Sequence, residues 1–178
     1  MVERVDSFKF LGTIISSSLK WVDNITTIIK KAHQRLFFLH QLKKFGVACK
    51  GMQQFYRANI ESVLRFSITV WYGNFTVQQR MRPGRIVHTA SKIVGCSLPP
   101  ISDIYEARIH SRGLKTLQDK LHPANSLFNP LPSGRRLRAI HTETSRFLNS
   151  TYCRTITPLN STSLHQYIRN ADSPSGPV

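Results

Sequence analysis

Val22, Ile25, Ile29, Ala32, Leu36 and Leu39 recur at spacings of 3, 4, 3, 4 and 3, the seam that an amphipathic helix buries and a strand cannot. The pattern predicts a helix from Leu19 to about Lys44. Gly46 is placed to end it, and Lys43 and Lys44 fall in its last turn, where cations complement the helix dipole. A helix of that length with one apolar face needs other helices against it, so the chain is committed to a mainly α architecture.

A second periodic set, Met52, Tyr56, Ile60, Val63, Ser67 and Val70, predicts a continuous helix from about Lys50 to Tyr72, closed by Gly73. Phe55, Leu64, Phe66, Ile68 and Trp71 lie outside that stripe, which makes this helix apolar on most sides and the central one. A third helix is expected over Arg85 to Val94, bounded upstream by a break at Pro83-Gly84 and downstream by Gly95 and Pro99-Pro100. Ser102 to Arg112 reads as a fourth, with Ser102 as its N-cap. Ahead of them all, Phe8 to Ser16 is dense in β-branched and aromatic residues and predicts one short strand with a kink or close backbone approach at Gly12.

After His122-Pro123 the composition turns to Pro, Ser, Thr and Asn, as in Asn129 to Gly134 and Ser173 to Val178, and the expectation is loops or disorder. The organisation expected is therefore a strand segment over 1–18, a helical domain over 19–122 and a basic, loop-rich tail over 123–178. The longest near-apolar stretch, Phe66 to Tyr72, is too short for a membrane span, and Glu3, Arg4 and Asp6 interrupt any leader-like run. Cys49, Cys96 and Cys153 are odd in number and more than forty residues apart, which suits neither a disulfide framework nor close-spaced zinc ligands. Reduced thiols in a nuclear or cytoplasmic, non-secreted protein are expected.

Charge narrows the class of partner. Lys and Arg number 25 against 9 Asp and Glu, a formal net charge of +16. Residues 1–89 carry 14 basic and 4 acidic residues, and 90–178 carry 11 and 5, so the charge is not confined to a tail. Such a chain suits a polyanion, with nucleic acid ahead of acidic membranes or acidic proteins.

Catalytic chemistry is hard to build from what remains. Asp103 and Glu106 sit i,i+3 on a short helix, where such pairs are ordinarily solvated. His141-Thr-Glu143 is the lone His-x-carboxylate match and falls in the loop-rich tail. No Gly-rich phosphate loop, nucleophile elbow or zinc-helix motif occurs. No catalytic residue, metal ligand or cofactor site is assigned, and the chain is expected not to be an enzyme.

Binding residues are easier to name. At 100° per residue Lys20, Lys31 and Phe38 fall within about 20° of one another on the first helix, opposite its seam, a basic face with an aromatic for stacking. Arg80, Arg82 and Arg85 form a second cluster, and Arg135, Arg136 and Arg138 a third, each suited to phosphate contact or to plain surface charge.

Phe10-Leu-Gly12, Leu19-x-Trp21 and Lys31-Ala-x-x-Arg35-Leu36, in that order, resemble the end of the reverse transcriptase of LINE-type, jockey-like non-LTR retrotransposons. His88 to Gly95, Ile104-Tyr-x-x-Arg108, His122-Pro123, Leu131 to Arg136 and Arg146 to Ser150 are similar to that family's post-polymerase tail, so the resemblance runs from about Phe8 to Asn160. It implies that Lys9, Phe10, Leu11 and Gly12 match the primer-grip strand. It further implies that the following helices, with Lys20, Lys31, Arg35 and Phe38, form a thumb against a template-primer duplex, held through phosphates and shape. The family's metal-binding palm carboxylates would lie N-terminal to these residues. Together with Pro83-Gly84 inside what should be a continuous helix, this implies a catalytically incomplete, decayed remnant. The first fifty or so residues also resemble the short N-terminal segment of AlkB-homologue-8 type alkylation-repair proteins. That family's iron and 2-oxoglutarate dioxygenase and tRNA methyltransferase domains have no counterpart in this sequence.

The sequence thus predicts a mainly α, thumb-like bundle preceded by a short strand and followed by a loop-rich tail. Its expected role is non-specific binding of an RNA–DNA or other duplex. The alternative is a helical fragment that is non-functional or meets a protein partner through its apolar surface.

Overall fold

A computed structural model describes residues 5–161. Glu3 and Arg4 of the leader reading, and Ser173 to Val178 of the expected tail, lie outside the described residues. The chain divides into two compact units, residues 5–104 and 105–161 among those described, with the boundary inside a helix.

The first unit opens with an antiparallel hairpin, β1 (Ser7–Phe10) and β2 (Thr13–Ser16), rather than one kinked strand. Leu11 and Gly12, at φ 45° and 84°, form its two-residue turn. Positive φ at both central positions matches the right-handed twist of the strands, which is what a tight hairpin needs. Glycine adopts that conformation freely and leucine at a cost. Helix α1 (Val22–Lys44) follows and buries Ile25, Ile28, Ile29, Ala32, Leu36 and Leu39. It begins later than predicted because Leu19 and Trp21 both take positive φ. Lys20 therefore precedes the helix and does not share a face with Lys31 and Phe38. At the other end the Val47 amide donates to the Leu42 carbonyl and Gly46 takes φ 70°, a C-terminal cap of the kind the glycine predicted.

The expected second helix is broken. It runs as α2 (Cys49–Phe55), a π-helical stretch (Tyr56–Glu61) and α3 (Ser62–Arg65), then stops and resumes as α4 (Ile68–Trp71) with a 3-10 turn (Tyr72–Asn74). Its buried stripe runs through Met52, Tyr56, Ile60, Leu64 and Ile68, with Glu61, Trp71 and Tyr72 also buried, and not through the predicted Val63, Ser67 and Val70. A spacing of four drifts by about 40° per step on an α-helix, and the wider π turn takes up part of that drift. Phe66 is extended (ψ 122°) and Ser67 left-handed (φ 50°), which ends α3. The indole of Trp71 donates to the Phe66 carbonyl at 2.8 Å and closes the kink.

Helix α5 (Val77–Val94) contradicts the break expected at Pro83-Gly84. Thr76 and Gln79 form a reciprocal capping box, at 3.3 and 3.0 Å, that starts the helix upstream of the proline. Pro83 then sits buried inside it, and the reading of Pro83-Gly84 as decay falls with the break. Helix α1 packs on α5 and on the 49–65 rod, and α2 also meets α5, so the core of this unit lies between three helical layers.

Helix α6 (Ile101–Gln118) spans the unit boundary and is longer than the Ser102 to Arg112 expected. Ser102 is inside it rather than its N-cap, because the Pro100 carbonyl already accepts from Ile104. Beyond α6 the chain is loop-rich to residue 144, with a 3-10 turn (Asn125–Leu127), and then forms α7 (Ser145–Leu148) and α8 (Thr151–Ser161). Phe128, Leu137, Ile156 and Leu159 make a small core here. The Asn160 side chain bonds both the amide (2.7 Å) and the carbonyl (3.1 Å) of Leu137, pinning the 130–137 loop to α8. Among the described residues no helix is long and apolar enough to cross a membrane.

Two outcomes follow from this packing. A Cβ at Gly113 would lie 1.9 Å from Thr155 Cγ2, so Gly113→Ala is expected to lower stability by roughly 1–3 kcal/mol through overpacking, seen as a lower urea midpoint. Tyr56 is fully buried with its hydroxyl unpartnered among the described residues. Burial first, and the Glu61 carboxylate second, hold its phenol above the ordinary value of 10. Above pH 10 the unfolded chain loses that proton while the folded chain keeps it, so stability falls as pH rises. Tyr56→Phe is expected to stabilise by about 1 kcal/mol at neutral pH and to flatten the alkaline loss, measured by urea melts at pH 7 and above pH 10.

Candidate nucleic-acid interface

Three local features bring a set of the expected binding residues together. The left-handed turn at Leu11-Gly12 lies against Phe66, whose ring carbon Cε1 is 3.4 Å from where a Gly12 Cβ would be. The extended backbone at Phe66 lets that ring leave the rod and meet the turn. Thr13 Oγ1 donates to Ser67 Oγ at 3.3 Å, and the Ile14 amide donates to Asn24 Oδ1 at 3.1 Å, so the hairpin is tied both to the helix break and to α1. Asn24 is 2% exposed, so its bond to β2 is made largely out of water.

Between these parts lies a groove of about 500 Å³, lined by Leu11 and Gly12, by Thr27, Ile28, Lys31 and Arg35 of α1, and by Ser62, Val63 and Phe66. Lys31, Arg35 and Phe38 stand i, i+4 and i+7 on α1, one face of the helix. The Arg35 guanidinium donates to the Asn59 carbonyl and so braces the groove wall. Lys31 is exposed and has no hydrogen-bond or ion-pair partner among the described residues, which leaves its charge for an anion. Phe38 is 56% exposed, and its ring meets the edge of Phe37 at 5.7 Å. Phe8 and Phe10 alternate onto one face of β1 and are also exposed; Lys9, between them in sequence, takes the other face.

The remaining candidates do not join this groove. Arg80 is committed inside its own unit: it donates to the Gly73 carbonyl at 3.3 Å and lies over the Tyr72 ring at 5.5 Å, bracing the Trp71, Tyr72 and Phe75 cluster. Arg82 is half-buried and Arg85 exposed on the same helix. Arg135, Arg136 and Arg138 are exposed in the second unit, on the loop that Asn160 clamps, where the Leu131 amide donates to the Arg136 carbonyl at 2.8 Å. Lys20 is exposed in the link between β2 and α1.

Sequence reasoning missed Thr27, Ile28, Ser62, Val63 and Phe66 as groove residues. Phe66 carried a signal, since a large aromatic outside the apolar stripe and followed by a serine is a place where a helix can turn away. Among the described residues no three or more His, Cys, Asp or Glu side chains are grouped to hold a metal. Arg65 of α3 pairs with Glu61, at the end of the π-helical stretch, at 2.8 Å.

A family model described as alkylated DNA repair protein alkB homolog 8, N-terminal, matches residues 21–62, short of a quarter of the chain. The matched stretch is α1, the turn at Gly46, α2, the π-helical stretch and the first residue of α3. No curated protein and no solved structure matches the chain, and nothing among these results supports the reverse-transcriptase resemblance.

Gly12 decides whether this groove keeps its shape. Gly12→Ala places no atom closer than 3.4 Å to Phe66, but it forces an L side chain to φ 84°. The expected cost is about 1–2 kcal/mol, read as a lower denaturation midpoint with the slope unchanged.

Proposed function

We propose that the chain binds nucleic-acid duplexes through their phosphates, without sequence preference and without a catalytic activity of its own. The observation that carries this reading is the groove at the hairpin turn. There the unpartnered Lys31, the braced Arg35 and the exposed Phe66 meet, in a chain of net charge +16. Cations there would neutralise phosphates, and the apolar edges of Leu11, Phe66 and Phe38 would pack on sugar or base faces. This is the work that the reverse-transcriptase resemblance implies for a thumb with its primer grip, and the finer reading is a catalytically incomplete remnant of such a mobile element. The AlkB-type name attached to residues 21–62 is compatible with the same role, because those residues are a helical pair without a catalytic domain.

A second reading has its own observation. Phe8, Phe10, Leu11, Phe37, Phe38 and Phe45 are all at least half exposed, an amount of apolar surface that suits a protein partner.

Fluorescence anisotropy of the full chain on an RNA–DNA duplex across a salt series separates the two. Steep loss of affinity with rising salt is expected, and Lys31→Glu is expected to weaken binding about tenfold at low salt and to lower the salt slope by about 1. Affinity that ignores salt would remove the phosphate mechanism and leave the protein-partner reading.

A further inference from the structure

Cys49 and Cys96 are separated by 46 residues in sequence and meet in the fold. Cys49 is the first residue of α2, and Cys96 directly follows Gly95, the left-handed cap of α5. Their side chains are close enough to interact. Gln53, one turn beyond Cys49 on α2, donates its Nε2 to Cys96 Sγ at 2.8 Å and holds the second thiol against the first helix. On the other side of the α5 terminus the Lys43 ammonium donates to the Lys92 carbonyl at 3.3 Å, so the end of α5 is also fixed to α1. Cys49 is exposed and Cys96 half-buried, and Cys96 faces an open depression of about 490 Å³ that also has His88, Lys92 and Ser97 in its wall. Cys153 belongs to the other unit.

Sequence spacing argues against a disulfide framework, but spacing measures the chain and not the distance through space. Here one thiol at the start of α2 and one just past the end of α5 are held side by side, the first of them open to solvent. Burial of part of its surroundings and the neighbouring Cys96 push the Cys49 thiol above its ordinary value of 9.0.

We propose that Cys49 and Cys96 are a dithiol modification site, which a small-molecule disulfide converts to an intramolecular Cys49–Cys96 bond. The exposed Cys49, as its thiolate, attacks one sulfur of the small disulfide; a protein–S–S–R bond forms and one thiolate leaves. Cys96 then attacks the Cys49 sulfur, the Cys49–Cys96 bond forms and the second thiolate leaves. The protein pair loses two electrons and two protons, and the small disulfide gains both to become two thiols. The product ties the start of α2 to the end of α5 and closes the chain across about half of the first unit.

The test treats the full chain with oxidised glutathione and counts thiols in denaturant. The count is expected to fall from three to one, with a non-reduced peptide joining Cys49 to Cys96. The melting temperature is expected to rise by roughly 10 °C, because a long loop is closed in the unfolded chain. Treatment in urea, where no fold selects the pair, is expected to give links to Cys153 as well. Three surviving thiols, a lasting glutathione adduct on Cys49, or links in the folded chain that involve Cys153 would each overturn the proposal. So would a Cys49–Cys96 link that lowers the melting temperature, since the bond would then distort the native packing. In Cys96→Ser the glutathione adduct is expected to persist on Cys49, because the resolving thiol is gone; release of that adduct would count against the assigned roles.

Discussion

The first unit depends on one contact, the seating of the hairpin turn on the interrupted rod. Gly12 can approach Phe66 because it has no side chain, and Phe66 can reach Gly12 because the helix stops there. Neither condition works without the other. A continuous helix through Phe66 and Ser67 would carry the ring around the rod, and Ser67 Oγ would no longer be placed to accept from Thr13. The buried amide of Asn24 adds a third point of attachment, so a two-stranded ribbon that is marginal alone is held by side chains from two helices.

The same contact separates the positive charge into two kinds. Arg35 and Arg80 are spent on the backbone carbonyls of Asn59 and Gly73. Arg65 pairs with the buried Glu61. Lys9, Lys20, Lys31 and Arg85 remain at the surface, and with nine carboxylates in the whole chain few acidic groups are at hand to neutralise them. Self-repulsion of that kind opposes compactness and favours a polyanionic partner. A cluster of basic residues in the sequence therefore did not define a site by itself. Arg80, Arg82 and Arg85 are neighbours along the chain, yet the first braces an aromatic cluster and the last faces water.

What could be read in advance was set by periodicity over long stretches. The seam of α1 is eighteen residues of unbroken 3-4 spacing; all of it but the exposed Val22 is buried, and the glycine stop and basic last turn appear in the structure. Reading failed where a short-range device outweighed an average. The capping box at Thr76 and Gln79 starts α5 early enough to carry Pro83, whereas propensity alone puts a break there. Two positive-φ residues at Leu11-Gly12 turn one apolar run into a hairpin, and a π-helical stretch shifts the buried stripe from Val63 to Leu64. Of the expected binding residues, Leu11, Gly12, Lys31 and Arg35 line one groove. The residues that complete it, from the rod, were out of reach because only tertiary contact decides which side of a mostly apolar helix faces the hairpin. In the second unit composition described the loops correctly, but it could not foresee Asn160 clamping Leu137 or the helix that bears it.

The rod from Cys49 to Arg65 links the two sites argued above. Its first residue is one of the paired thiols, and Ser62 and Val63, thirteen residues on, line the groove; at 1.5 Å per residue that is about 20 Å of helix. Tyr56, Ile60 and Leu64 are completely buried along it, and a packed helix moves as a body rather than bending side chain by side chain. Arg35 crosses from α1 to the Asn59 carbonyl midway along the rod, so one wall of the groove, the carbonyl that holds the brace and one of the two thiols are mounted on one element. Fixing the start of α2 to the end of α5 therefore restrains the same body that presents Ser62, Val63 and, at its broken end, Phe66. The groove and the thiols are separate chemistries, but the fold gives them a common support.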